Sequence, residues 1–206
     1  MSDMKFIKKM QAFSMPQGLC KPANNIRHAR HIRPIRGHGL KYKSMRGTME
    51  LFLRKVTEAD IKKIQQWVGY IKANEYMSRF YPKAFKGKIQ DIELYLWFII
   101  VVDDYDVGTI WVEKDNLDAE EATLGIFIGI KEKQGQGIGQ VAIKKIIEFA
   151  CKEWCIKAIN LNVRKNNQRA IKCYENCGFL VVGEGTKMND NNQTVEFYKM
   201  RFGLSS

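Results

Sequence analysis

EKQGQGIGQVAIKKIIEFACKEW, residues 132–154, sets three glycines at alternate positions and then runs into a helical pattern. Glycine at that density removes side chains where another group must come close to the backbone. From Ile138 onward, Val141, Ala142, Ile146, Phe149 and Ala150 mark one helical face, with Lys144, Lys145 and Lys152 outside it. The glycines therefore lie where a strand feeds a helix N-terminus. The first N–H groups of a helix have no partner within it, and the aligned peptide dipoles favour an anion there. Gly137 and Gly139 would let phosphate oxygens reach those amides without meeting a Cβ.

Spacing excludes two phosphate-binding loops. A Walker A loop needs G-x-x-x-x-G-K-[ST], which nothing here fits. The dinucleotide fingerprint needs G-x-G-x-x-G, but the third glycine comes one position early and Gln140 stands in the required place. What is left is Gln134-Gly135-Gln136-Gly137-Ile138-Gly139, an anion cradle or a glycine-rich connection without function.

Working outward, LFLRKV (51–56) reads as a strand. Thr57 with Asp60 forms a capping-box pattern ahead of Ile61, Ile64, Trp67 and Val68 at helical spacing. IKANEYMSRFY (71–81) reads as a second, more irregular helix ending before Pro82. YLWFIIVVDD, YDVGTIWVEKD and ATLGIFIGI follow as an antiparallel meander. Beyond the glycines come the strand AINLNV, the helix NQRAIKCYENC stopped by Gly178, and a closing pair of strands, FLVVGEG and QTVEFYKMRF. The order β-α-α-β-β-β-α-β-α-β-β predicts one α/β domain, a mixed and mostly antiparallel sheet flanked by helices, over residues 49–206.

Residues 1–48 lack apolar periodicity and hold eleven of the 34 Lys and Arg residues against one acid, Asp3. The other 158 residues carry twenty-three basic and twenty-one acidic residues, so the net charge of +12 describes the leader more than the domain. Little stable structure is expected there. It reads as an upstream extension, with a start at Met45 or Met49, as a basic arm touching nucleic acid or acidic lipid, or as a transit-type presequence. Nucleic-acid contact is expected only through this arm. The longest apolar run, LWFIIVV (96–102), is too short to span a bilayer. Five cysteines in a chain without a secretory signal read as reduced thiols of a cytoplasmic protein. No metal is expected from their spacing.

A second constellation lies downstream. Asn167, Ala170 and Tyr174 stand at i, i+3 and i+7, and so share one helical face. Small Ala170 leaves room along that face, Asn167 can hydrogen-bond an amide there, and Tyr174 presents a phenol at its far end. Taken together, QGQGIG after a strand resembles the [QR]-x-x-G-x-[GA] signature of the GNAT superfamily of N-acetyltransferases. NNQRAIKCYENCGF is similar to that family's N-x-x-A-x-x-x-Y-x-x-x-G-F segment. The element order from Leu51 to Phe202 also fits.

The resemblance implies an acetyl-CoA site in a V-shaped split between the fourth and fifth strands counted from Leu51. The pyrophosphate would sit on the amides of Gln134 to Gly139, and the pantetheine arm along Phe127 and Ile128. Asn167 and Ala170 would face the cofactor arm, and Tyr174 would act as general acid. The expected reaction is acetyl transfer to a primary amine, on a small molecule or a peptide, by direct attack in a ternary complex. A homodimer is compatible with it. Many relatives carry a Glu on the fourth strand where this chain has Thr123, which cannot act as a base near neutral pH. Glu121 is therefore the expected base, ahead of Glu75 and Glu120, with Thr123 holding an ordered water as the alternative. Glu75, Tyr76 and Phe80 are expected to wall the acceptor. The rival reading is a non-catalytic acyl-CoA-binding module.

Overall fold

The computed structural model describes residues 40–44, 47–71, 75–89, 93–189 and 192–204. Eight strands form one sheet: β1 (Leu40–Ser44), β2 (Gly47–Lys55), β3 (Tyr95–Val102), β4 (Tyr105–Glu113), β5 (Glu121–Ile128), β6 (Ala158–Arg164), β7 (Leu180–Met188) and β8 (Thr194–Gly203). Their spatial order is β1-β2-β3-β4-β5-β6-β8-β7, antiparallel throughout except for the parallel pair β5–β6. Among the described residues, three helices flank it: α1 (Glu58–Tyr70), α2 (Ile138–Glu153) and α3 (Gln168–Glu175). The expected mixed, mostly antiparallel sheet is observed.

Two expectations change. Among the described residues, regular structure starts at β1, whose Leu40 pairs with Leu51 and Ser44 with Gly47, so the sheet includes residues ahead of 49. Residues 1–39, the bulk of the leader, lie outside the described residues. The second helix expected over 71–81 is not formed among the described residues, since 75–89 pass through turns and bends. Met77, Phe80, Tyr81, Ala84, Phe85 and Ile89 each pack on the α1 side of the sheet. Met77, Phe80, Tyr81, Ala84 and Phe85 are spaced as a helical stripe would be, yet the described backbone there is not an α-helix, so tertiary contacts and Pro82 override the pattern.

The central strands β3 and β4 are buried on both faces, which explains why β3 reads as a continuous apolar run. Trp97, Ile99 and Val101 face the α1 side with Ile64, Trp67 and Trp111. Phe98, Ile100 and Val102 face the other side, against Ile138, Ala142, Ile143, Ile146 and Ala150 of α2. The β3–β4 turn is tight because Asp103 (φ 49°) and Asp104 (φ 66°) both accept the left-handed region.

The N-terminus of α1 is tied to the sheet through charge. Arg54 of β2 grips Asp60 with two guanidinium nitrogens, both at 2.7 Å, and reaches Asp106 of β4 at 2.6 and 3.1 Å. The Thr57 amide and hydroxyl also donate to Asp60, at 2.9 and 2.8 Å. Burial alone would raise the Asp60 carboxyl, but Arg54 and the Thr57 donors bring it down from 3.8 to about 2. A depressed carboxylate contributes stability that is present above its unfolded pKa and lost as pH falls through its folded one. The urea midpoint should therefore drop as pH falls from about 4 to about 2. Asp60→Asn should be less stable at pH 7 and show a shallower acid limb. An unchanged limb would mean that Asp60 is not held as described.

Candidate active site

The parallel contact between β5 and β6 is short. Glu121, Ala122 and Thr123 pair with Ala158, Ile159 and Asn160, and the register ends there although both strands continue. Beyond Thr123 the strands part, and a cleft of about 780 Å³ opens between them. Its floor is Leu124 to Ile128 of β5, with Asn162 and Val163 of β6 opposite. Gly125 keeps the floor low, because the Trp111 ring already fills the space where its Cβ would stand.

The glycine loop forms one end. Gly135 (φ 74°) and Gly137 (φ 81°) take left-handed conformations that side chains resist, and the place of a Gly135 Cβ is open space. Gly137 is the N-cap of α2, and no side chain caps that helix. The first backbone bond into it runs from the Val141 amide to the Gly137 carbonyl, 3.3 Å. The first amides of α2, those of Ile138, Gly139 and Gln140, thus have no partner within the helix, whereas the Gln134 amide, expected among the phosphate contacts, already donates to the Lys131 carbonyl at 3.1 Å. The Gln134 side chain braces the loop by donating to the Ile128 carbonyl at 2.9 Å, and Gln136 donates to the Glu132 carbonyl at 2.6 Å. Lys131, Lys133, Arg169 and Lys172 add positive charge around this end. Sequence reasoning passed over these four. Their signal was basic residues just ahead of the glycine loop and within the Asn167–Tyr174 segment.

The wall opposite the loop is α3. Asn167 is its N-cap, its Oδ1 accepting the Ala170 amide at 3.2 Å, so its side-chain amide nitrogen is the donor left for the cleft. Asn167, Ala170 and Tyr174 all line the cleft. The Tyr174 ring packs at 5.9 Å from Phe179. Burial, with the neighbouring Cys173 and Cys177, holds its phenol well above the usual tyrosine range, so it stays protonated.

Of the expected site residues, Phe127, Ile128, Gln134, Gly135, Gly137, Ile138 and Gly139 are brought together with this α3 face. Gln136 belongs to the same loop but is not part of the lining. Glu75 and Tyr76 line the far end, and the Glu75 carbonyl accepts from Arg164 at 2.7 Å. Phe80 stands behind the lining, edge-on to Phe127 at 6.5 Å. Glu121 is not in the cleft. It sits at the paired end of β5, held by Arg201 and Asn160, both at 2.7 Å. Arg201 first, then Asn160, pull its carboxyl below the usual range, which makes it a weaker proton acceptor. Glu120 pairs with Lys157 on the surface, and Thr123 marks the point where the strands part without lining the cleft. Among the described residues, no group of three or more His, Cys, Asp or Glu gathers as a metal site would. No described helix is long and apolar enough to cross a membrane.

The sequence profile of the acetyltransferase (GNAT) domain matches residues 50–180. The chain belongs to this family. A probable spermine N(1)-acetyltransferase of Bacillus subtilis subsp. natto is 26% identical over 100 residues, 48% of this chain and 58% of that protein. The match thus spans a little over half the length of that curated relative. By fold, the chain is similar to a spermidine N-acetyltransferase from Vibrio cholerae, solved with CoA and spermine. The TM-score is 0.64 at 20% identity, over 74% of this chain and 95% of that one. It is likewise similar to an aminoglycoside acetyltransferase solved with coenzyme A, with a TM-score of 0.58 at 18% identity, over 75% of this chain and 95% of that one.

Proposed function

We propose that the protein transfers an acetyl group from acetyl-CoA to a primary amine. The single observation that carries this reading is one cleft that joins an uncapped helix N-terminus at one end to the Tyr174 phenol. The cradle fits a pyrophosphate: Gly135, Gly137 and Gly139 bring no side chain to it, the first amides of α2 are free of helical partners, and cations line the cleft. When bound, acetyl-CoA supplies the thioester whose acetyl group moves. Asn167 offers an amide donor to the cofactor arm, and small Ala170 leaves it room. The floor of β5 from Leu124 to Ile128, which β6 does not pair, offers an edge for it.

Tyr174 donates a proton to the departing sulfur. A thiol near 8.5 and a phenol above its ordinary 10 leave that transfer uphill in the ground state, so it takes place as the sulfur gains charge. The amine must lose its own proton. A lysine-type amine is neutral only about once in 2,500 molecules at pH 7. Glu75, the carboxylate that lines the acceptor end, suits that task better than Glu121, whose charge Arg201 already holds. The acceptor meets Tyr70, Ile71, Glu75, Tyr76 and Met77, an aromatic and apolar surface with one acid. We place the protein in the cytoplasm on its thiol usage. Residues 1–48 are the place for any nucleic-acid contact, and a homodimer stays within the proposal.

Thiol release from acetyl-CoA, measured against a panel of polyamines, aminoglycosides and N-terminal peptides, tests the reaction. Turnover on an amine with a 1:1 acetylated product is the expected result. Cofactor binding without turnover on any amine would instead make this a non-catalytic acyl-CoA-binding module.

A further inference from the structure

The mechanism above leaves one cluster in the cleft without a task. Cys173 and Cys177 stand one helical turn apart, from α3 into the turn that ends it, and both are thiols. Cys173 lines the cleft. Its sulfur lies 3.3 Å from where a Gly139 Cβ would be, against the first turn of α2. That turn is the uncapped, positive end of the helix, and thiols beside such ends gain thiolate character. The Cys177 sulfur lies 3.8 Å from the Gln140 carbonyl in that same turn. Two sulfurs therefore sit beside the amides assigned above to the cofactor's phosphates.

We infer that Cys173 is a modification site: with the cleft free of cofactor, its sulfur exchanges with a small-molecule disulfide, and the adduct blocks the phosphate cradle. In the exchange, the Cys173 sulfur attacks one sulfur of the disulfide, so one S–S bond forms and one breaks. Cys173 is oxidised to the disulfide level. The departing half leaves reduced, as a thiol, with the proton that Cys173 held. A reducing thiol reverses the reaction.

The surroundings support this direction. The hydrogen bond from Cys177 holds the Cys173 thiol below its usual range against the opposing effect of burial, and Arg169 adds to it. Cys177 is pushed the other way, first by Cys173 and then by burial, with Lys144 opposing, so it remains the thiol donor. Cys177 is a positioning residue here. It acts through Cys173 and is itself a poor nucleophile, so the exchange stops at the mixed disulfide.

Blocking by the adduct presumes the coenzyme A reading of the cleft, so the probe is adenosine 3′,5′-bisphosphate, a thiol-free piece of that cofactor. The full chain is incubated with glutathione disulfide, with and without the nucleotide, and each cysteine is followed by peptide mass mapping. Exposed Cys155 is the internal reference. Cys173 should react at least about threefold faster than Cys155 despite being less exposed. Saturating nucleotide should slow Cys173 alone. The adduct should weaken nucleotide binding by about tenfold or more, and dithiothreitol should restore it. Cys177→Ala should move the pH profile of Cys173 alkylation upward, and Cys177→Ser should bring it back. Nucleotide that binds without protecting Cys173, or Cys173 reacting more slowly than Cys155, would overturn the inference. No nucleotide binding to the reduced protein would instead overturn the cofactor reading.

Discussion

Tyr174→Phe should lower kcat by about 10²-fold or more while the KM for acetyl-CoA stays within about twofold, the size expected for losing a general acid. The structure separates this from a folding effect. The Tyr174 hydroxyl makes no hydrogen bond within the described chain, and the ring keeps its contact with Phe179 when the oxygen is removed. Thermal stability should accordingly change little. The pH profile carries a second sign. Burial raises the phenol, so its ionisation falls beyond the ordinary tyrosine range. In the wild type, kcat/KM for an alkylamine should rise with pH as the neutral amine accumulates. No falling limb from Tyr174 should appear below about pH 10. Unchanged kcat in Tyr174→Phe would remove Tyr174 from the acid role, whereas a falling limb near neutral pH that the substitution abolishes would keep the role and refute the raised phenol.

The halves of the site differed in legibility for a physical reason. The proposed phosphate cradle rests on local backbone chemistry at a helix N-terminus, so Gly135, Gly137 and Gly139 at the head of α2 suggest it within a few residues. Asn167, Ala170 and Tyr174 were also legible, because helical spacing alone puts them on one face. Asn167 proved to be the N-cap rather than an interior helical residue, without leaving that face. Glu121 lies outside the cleft because its place is decided by Arg201, far along the chain on β8, which no short-range pattern reveals. The segment 71–81 misled in the same way. Arg79 pairs with buried Glu113 of β4, the Lys83 amide donates to that same carboxylate, and Tyr81 packs edge-on to Trp97 at 5.8 Å. Contacts across the fold outweighed a weak helical preference. β1 was missed because Leu40-Lys41-Tyr42-Lys43 alternates over only four residues inside a basic leader.

The acceptor end illustrates the same division. Its wall is built from residues near the end of α1, from the irregular segment after it and from β6, which meet only in the folded chain. Arg164 at the end of β6 holds the Glu75 carbonyl, so the position of the one lining carboxylate depends on a strand 89 residues away. In the proposed reading, substrate choice follows from how that segment packs, whereas the donor end is set by backbone geometry in α2. This is why one family can keep a common donor site and vary its acceptors.

Gly125→Ala should be among the most destabilising single-methyl changes in the protein. Gly125 pairs with Trp111 across β4 and β5. A Cβ at Gly125 would stand 2.1 Å from Trp111 Cζ2 and 2.3 Å from Cε2, distances at which atoms cannot coexist. The indole is 2% exposed and cannot swing away without displacing its neighbours, among them Trp67, Trp97 and Phe127. Overpacking in a closed core costs about 3 kcal/mol when the neighbours cannot yield. At roughly 2–4 °C per kcal/mol for a domain of this size, Tm should fall by about 6–12 °C. Gly135→Ala provides the contrast. Nothing lies within 4 Å of its added methyl, so only the left-handed backbone is strained, at about 1–2 kcal/mol. The two variants should therefore divide by property: Gly125→Ala loses stability first, and Gly135→Ala loses cofactor affinity with the smaller change in Tm. Trp111→Phe should relieve the clash, because the smaller ring lacks the atoms nearest the new methyl. The double variant would then be more stable than the sum of the two single changes by about 0.5–3 kcal/mol. Simple additivity would show that the indole does not lie over Gly125, and that another contact requires glycine at the point where β5 leaves β6.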